Sequence, residues 1–261
     1  MELVEANLLD SSSLQRAIQG STYVIHVASP FVVDMPRDEN DLIKPAVEGT
    51  LSALRAAQAA GVKRFCLTSS QASVYHKDYA NQPEVWNEEH WADKIDAELN
   101  AYEKSKVRAE RAAWKFVAEM PEESRIELTT ICPGLILGET MVKGEFASAE
   151  IINKFMHNNL PGGIPMLHLG LVSVKDVAKA HIECIKRDEA QGKRFLIVDK
   201  PLWFREIAYV LRGNFANYGY PIPESEAKFC LIKFASYFMS DAAYVAKVWG
   251  KEFPVDNSRS Q

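Results

Sequence analysis

No run of apolar residues in this chain approaches the ~20 that a membrane-spanning helix requires, so no membrane partner is expected. The opening residues, Met1-Glu2-Leu3-Val4-Glu5, carry neither a basic segment nor an apolar core of the kind a secretory leader uses. Cysteine is sparse. Its four copies, Cys66, Cys132, Cys184 and Cys230, stand far apart in mostly apolar surroundings. They have no metal-ligand spacing and read as buried, reduced thiols. Charge of one sign is lacking too: 30 basic and 35 acidic residues are interspersed, for a net charge of −5. There is no basic stripe for nucleic acid and no polybasic run for an anionic membrane. These absences place the expectation in the cytoplasm.

What is present is ordinary globular material. With 261 residues, 47% of them hydrophobic, the chain can build one large domain or a domain with an appended lobe. Glu2–Leu8 reads as a short strand, and Asp10 to Ser13 offer N-caps for a helix that Gly20 stops. Tyr23 to Ala28 is a nearly continuous apolar run, the pattern of a strand buried on both faces, with Ser29-Pro30 ending it. His26 within it reads as a satisfied core histidine, and His168 and His181 as structural. Pro45 suits a first helical turn, with Val47, Leu51 and Leu54 at helical spacing behind it and Gly61 closing the helix. Arg64–Thr68 reads as the next strand, 95–119 as a long helix and Ile126–Cys132 as a further strand. Beyond Pro133 the pattern loosens. Helices are expected at 145–159, 176–186, 203–212 and 229–238, and strands at 167–174 and 194–198. Strand and helix alternate up to Pro133, which predicts an α/β fold with a parallel sheet.

Two stretches carry chemistry. In Asn100-Ala101-Tyr102-Glu103-Lys104-Ser105-Lys106 the tyrosine and second lysine lie four apart, one helical turn above each other. A cation beside a phenol favours the phenolate, so Tyr102 and Lys106 make a proton donor and its electrostatic helper. A surface tyrosine beside a lysine has the same spacing, so the motif is weak alone. The second stretch, Arg64-Phe65-Cys66-Leu67-Thr68-Ser69-Ser70, ends a strand in hydroxyls, at the strand end where open α/β sheets bind ligands. The segment 71–93, with Trp86 and Trp91, either frames a substrate or covers the sheet edge. Met141, Phe146, Phe155 and Met156 either line an apolar pocket or form ordinary core.

The chain resembles the extended short-chain dehydrogenase/reductase family, in its dihydroflavonol reductase and cinnamoyl-CoA reductase branch. The resemblance runs through six ordered segments: 6–10, 24–30, 63–70, 102–106, 131–138 and 172–178. It implies an incomplete Rossmann-type doubly wound sheet at 1–138, extended by strand segments near 167–174, with a smaller C-terminal substrate lobe at 139–261. It implies a catalytic Ser70 (Ser69 being the second match), Tyr102 and Lys106. Ser70 would hold a substrate carbonyl, Tyr102 would give or take the proton, and Lys106 would bind the nicotinamide ribose and lower the tyrosine pKa. The implied cofactor is NADP, with NAD possible, lined by Asn7, Leu8, Val27, Ala28, Ser29, Tyr102, Lys106, Pro133, Gly134, Leu135 and Ile136. An adenine-contacting aspartate of the family is replaced by Asn7. The implied function is NADP-dependent reduction of a ketone or aldehyde, or oxidation of the alcohol, by a monomer or homodimer acting on a small molecule. The alternatives are an epimerase or dehydratase using the same tyrosine and lysine, and a non-catalytic family member acting by interaction. Ser29-Pro30-Phe31 favours the reductase.

Family members open with a strand, a Gly-x-x-Gly-x-x-Gly turn and a helix that meets the pyrophosphate. This sequence has no such turn; Gly20, Gly49 and Gly61 are its only glycines before Tyr102. By the resemblance, Met1 falls in the third strand of the dinucleotide fold, and two strands are missing, which leaves a gap of about 14 Å at the usual strand spacing or an unpaired edge in the middle of the sheet. The chain is therefore read as a shortened product, from an alternative start, a splice form or an incomplete gene model. Two charge-assisted hydrogen bonds and a helix end together contribute roughly 4–8 kcal/mol, so dinucleotide is expected to bind at least about a thousandfold more weakly than to a chain with the turn.

Overall fold

In the computed structural model, residues 2–29, 38–75, 78, 81–141, 144 and 146–261 are described. The expectations resting on Met1, Pro30, Phe31 and Glu145 lie outside these residues. Residues 2–7 are irregular and form no strand. The local chemistry there favours a turn: Asn7 Oδ1 accepts from Leu9 N at 2.9 Å, and Asn7 N donates to Ser13 Oγ at 2.9 Å. A strand needs a neighbour to fill its backbone groups, and in the sheet order no strand pairs with this segment.

Helix α1, Ser11–Ile18, is capped by Asp10, whose carboxylate accepts from Ser12 N and Ser13 N. Gly20, at φ +78°, then turns the chain into strand β1, Tyr23–His26. Helix α2, Asn40–Ala59, starts earlier than Pro45 predicts. Pro45 stands in its second turn, where it leaves the Asp41 carbonyl without the usual helical donor. Gly61 N bonds to Gln58 O and Val62 N to Ala57 O, closing the helix with glycine in the left-handed region. Strand β2, Arg64–Thr68, follows as predicted. The helix expected from residue 95 is split. A 3-10 stretch at Ala92–Glu98 breaks at Ile95, and α3 runs from Ala101 to Ala118. Asn100 sets that start by accepting from Glu103 N while Glu103 accepts from Asn100 N, both at 2.9 Å. Then come β3 (Glu127–Pro133), β4 (Leu135–Leu137), α4 (Ala147–Met156), β5 (His168–Ser173), α5 (Val174–Lys186), β6 (Arg194–Ile197), β7 (Lys200–Trp203) and α6 (Phe204–Phe215). Two short helices, α7 (Phe229–Ala235) and α8 (Ser240–Val248), complete the order. Strands β4 and β7 and helix α8 are not predicted from periodicity; three- and four-residue strands are too short to show one.

The chain divides into two compact units. The first comprises Met1–Pro133, Lys175–Ile197 and Asp256–Gln261; the second comprises Gly134–Val174 and Val198–Val255. The stretch near 167–174, attached to the first body in the sequence reading, contains β5, which pairs with β4 and β7 in the second unit.

The first unit holds a parallel sheet ordered β1-β2-β3-β6. Alternation along β2 explains its layers. Phe65 and Leu67 face the core with Leu54 and Ala57 of α2 and Ala113 and Val117 of α3. Arg64, Cys66 and Thr68 face the other way, toward α5: Arg64 Nη1 donates to Ile185 O, and Thr68 Oγ1 pairs with His181 Nε2 at 2.7 Å. His181 Nδ1 pairs with Val177 O at 2.8 Å, so this histidine has a structural role. Parallel register carries the same faces into β1, where His26 stands beside Leu67 and Ile25 beside Cys66. The buried-both-sides expectation for β1 fails. Tyr23 and Ile25 are 45% and 44% exposed, because β1 is an edge strand whose α5-side face is not covered. Three cysteines are buried as expected, but Cys230 is exposed.

In the second unit β4 pairs with β5 in parallel, and β7 pairs with β5 antiparallel. Phe155 is buried there against Phe204, while Met141 is fully exposed, so these residues do not form one pocket wall. Among the described residues, no helix is long and apolar enough to cross a membrane.

Candidate active site

Two residues past β2, Ser70 is buried, and its hydroxyl accepts from Ala72 N at 3.1 Å to open a short 3-10 turn at Gln71–Ser73. Tyr102 lies in the first turn of α3, where the Asn100 cap fixes the helix start. The Ser70 hydroxyl lies close enough to the Tyr102 phenol to lower its pKa. Lys106 Nζ lies 5.7 Å from the centre of the Tyr102 ring. The three residues are thus brought together from two separate elements. Ser69, the second match, is engaged elsewhere: its hydroxyl donates to Glu110 at 2.6 Å.

The electrostatics differ from the sequence reading in one respect. Burial pushes the Tyr102 phenol above its usual 10, with the Ser70 hydrogen bond pulling down and the Glu103 charge pushing up. A phenolate favoured by Lys106 is therefore not the resting state. Lys106 is itself desolvated, and burial pushes it down to about 8. A lysine depressed in the fold is disfavoured while charged. Between about pH 8 and the unfolded value of 10.5 the unfolded chain binds more protons, so folded stability should rise with pH across that window. The urea midpoint of the wild type should accordingly climb more steeply from pH 8 to 10 than that of Lys106→Met. Parallel curves for the two proteins would contradict the burial of the charge.

Next to β1 is a groove of ≈ 780 Å³, lined by Glu5 to Asp10, Ser13, Arg16, Ala28, Ser29 and Pro45. It gathers Asn7, Leu8, Ala28 and Ser29 of the expected cofactor lining, and its size falls within the range of small-molecule sites. None of Ser70, Tyr102 and Lys106 is among the described residues lining it. Val27, also expected there, is 61% exposed. Two residues before Ala28, His26 is buried against Phe65, with ring centres 5.7 Å apart. Its Nε2 has no partner among the described residues, contrary to the satisfied core histidine expected. Burial, aided by the Lys106 charge, pushes this imidazole down to about 4, so it is neutral at pH 7. Pro133 ends β3 in the first unit. Gly134, Leu135 and Ile136 belong to the second, where Leu135 and Ile136 pair with Leu171 and Val172. A Cβ on Gly134 would stand 2.4 Å from the Gly170 carbonyl oxygen, so only glycine fits that position.

The tryptophans of 71–93 are structural. Trp86 is fully buried, 5.2 Å from Tyr75 and 5.3 Å from His90. Trp91 lies between two guanidinium groups, Arg111 and Arg194, each 3.6 Å from its ring centre.

The sequence reading missed the network beneath Ser70. Glu110 is completely buried and accepts from Ser69 and Ser73 (both 2.6 Å), Thr130 (2.8 Å) and Arg194 Nε (2.7 Å). Burial pushes its carboxyl up, but Arg194 and the two serine hydroxyls outweigh that and hold it below 4.5. One signal was available: Glu110 is a carboxylate on the stripe that Val107, Ala113 and Val117 mark as the buried face of α3.

Comparison with known proteins adds the following. Residues 1–197 match the NAD dependent epimerase/dehydratase family. An NADPH-dependent methylglyoxal reductase of Saccharomyces cerevisiae is 33% identical over 206 residues, 74% of this chain and 60% of the relative. A cinnamoyl-CoA reductase of Medicago truncatula is 35% identical over 225 residues, 85% of this chain and 67% of the relative. The chain thus spans about three fifths of the yeast relative's length. Among solved structures, a yeast methylglyoxal/isovaleraldehyde reductase complexed with NADPH superposes with a TM-score of 0.77 at 28% identity, covering 100% of this chain and 77% of that one. The α/β Rossmann-like fold with its parallel sheet is the fold of that structure.

Proposed function

Since the chain belongs to the NAD-dependent epimerase/dehydratase family, we propose that it is an NADP-dependent oxidoreductase. It reduces a small aldehyde or ketone, or oxidises the matching alcohol, at Ser70, Tyr102 and Lys106. The observation that carries this reading is the convergence of Ser70, whose hydroxyl lowers the Tyr102 phenol, with Tyr102 and the Lys106 ammonium 5.7 Å from its ring. Two hydroxyls converging on one point suit a carbonyl oxygen: Ser70 donates to it, and Tyr102 delivers the proton as the oxygen becomes an alcohol. Lys106 holds the ribose of the cofactor. Relatives named for NADPH-dependent reduction support the choice of NADP, with NAD the second possibility.

A nicotinamide dinucleotide, when bound, supplies the hydride. Leu8 and Ala28 are apolar and Asn7 and Ser29 polar, which fits a flat heteroaromatic ring and its sugar. Val27, Pro133, Gly134, Leu135 and Ile136 are proposed as further lining from the resemblance. Phosphates fit less well: Asp10 places a carboxylate at the N-terminus of α1, which lines the groove, and no glycine-rich turn opens a helix there. Weak dinucleotide binding is therefore expected. The protein is proposed to act in the cytoplasm, as a monomer or homodimer, with residues 139–261 serving substrate binding.

The test is aldehyde-dependent oxidation of NADPH by the purified chain at millimolar cofactor, with circular dichroism to confirm folding. Turnover of a simple aldehyde or ketone is the expected result. A folded chain that oxidises no NADPH, or that interconverts nucleotide sugars with no net use of NADPH, would overturn the reductase reading.

A further inference from the structure

Glu110 stands eight residues after Tyr102 and four after Lys106, on the same stripe of α3 and about 12 Å along its axis from the tyrosine. Its Oε2 accepts from Ser69 and Ser73, the residues that bracket the Ser70 turn, at 2.6 Å each. Its Oε1 accepts from Thr130 of β3 at 2.8 Å and from Arg194 of β6 at 2.7 Å. Both oxygens are thus saturated, and one carboxylate ties the Ser70 turn, two strands and the tyrosine helix together. Stability alone does not call for this arrangement, because a buried ion pair is often no better than a well-packed apolar pair. What the carboxylate supplies is geometry: Ser70 is referenced to it through its two flanking serines, and Tyr102 through two turns of rigid helix.

We infer that Glu110 is a positioning residue of this site, fixing the Ser69–Ser73 turn so that the Ser70 hydroxyl meets that of Tyr102. The inference deepens the reductase reading and rests on it for its consequence in turnover, while its geometric content can be measured without cofactor. Ser69 has a role as well. It stands beside the serine that faces the substrate, and its own hydroxyl serves the carboxylate below.

The experiment reads the Tyr102 hydroxyl directly. The chain is labelled with ¹³Cζ-tyrosine, the Tyr102 resonance is assigned through Tyr102→Phe, and spectra are taken at pH 7 without ligand. Ser70→Ala gives the shift that marks loss of the Ser70–Tyr102 bond. Ser69→Ala, which leaves the Ser73 hydroxyl on the Ser70 carbonyl at 2.8 Å, and the double variant Ser69→Ala/Ser73→Ala both keep the Glu110–Arg194 pair. The double variant should move the Tyr102 signal at least half as far, in the same direction, and Ser69→Ala alone should move it the same way. Glu110→Gln should move it equally or further; should that variant fail to fold, the serine double variant carries the test. If Ser70→Ala shifts the signal while the double variant leaves it at the wild-type position, Glu110 serves folding only and the inference fails. If Ser70→Ala itself causes no shift, the hydroxyl pair is absent and both this inference and the site geometry fall. A wild type that oxidises no NADPH would overturn the functional reading alone, since the resonance needs no turnover.

Discussion

Replacing Tyr102 by phenylalanine is expected to lower kcat for carbonyl reduction by about 10²- to 10⁴-fold, the range for a lost general acid. The ring and its packing stay, so the variant should keep the fold. The size of the effect follows from the chemistry. As the carbonyl carbon is reduced, its oxygen becomes an alkoxide that must be protonated at once, and Tyr102 is the phenol that the Ser70 hydroxyl acts on. Burial pushes the Tyr102 phenol up, so it is protonated through the neutral range, the form a proton donor needs. Reduction by the wild type should therefore be flat from about pH 6 to 8, whereas alcohol oxidation, which needs the phenolate, should rise with pH. Steady-state rates at saturating NADPH for wild type and Tyr102→Phe settle the point. A variant that keeps more than about a tenth of kcat would remove Tyr102 from the proton step.

The second large effect concerns stability. Arg194→Met should destabilise the protein by about 3–5 kcal/mol, the cost of stranding a buried charge. Arg194 and Glu110 side chains are 7% and 0% exposed, so water cannot take over the lost partner. Arg194 also donates to the Glu88 and His90 carbonyls at 2.6 and 2.7 Å and stacks on Trp91, and methionine replaces none of these contacts. Adding Glu110→Gln to Arg194→Met should restore part of the loss by removing the unpaired charge. Urea unfolding of the four proteins measures this as a double-mutant cycle. A single-variant loss under about 1 kcal/mol would show that the pair is more solvated than its burial indicates. The pair also carries an acid limb. Glu110 is held below 4.5 in the fold, so its contribution is complete above that value and is lost as pH falls through the lower, folded one.

Much of the first unit is written in local pattern. Apolar continuity marks β2, and its end at Ser69-Ser70 follows from the switch to hydroxyls. The four-residue spacing of Tyr102 and Lys106 is enough to place both on one helix face, and Asn100 with Glu103 sets where that helix starts. Such features depend on residues within a turn or two of each other, so they are legible in the chain itself. The sequence by itself therefore determined an α/β chain with a hydroxyl-ended strand and a Tyr/Lys helix. Tertiary structure decided what depends on distant neighbours. The apolar run at β1 has an exposed face because no described helix covers it, and residues 2–7 form no strand because no described strand lies beside them. His26 looks like core in sequence, yet its Nε2 has no partner among the described residues. Glu110 and Arg194 are 84 positions apart; the helical stripe hints that Glu110 is buried, but only the packing of α3 on the sheet names its partner. A side chain's burial and its partner are set by what the rest of the chain brings to it, and that is the part of this site the sequence could not contain.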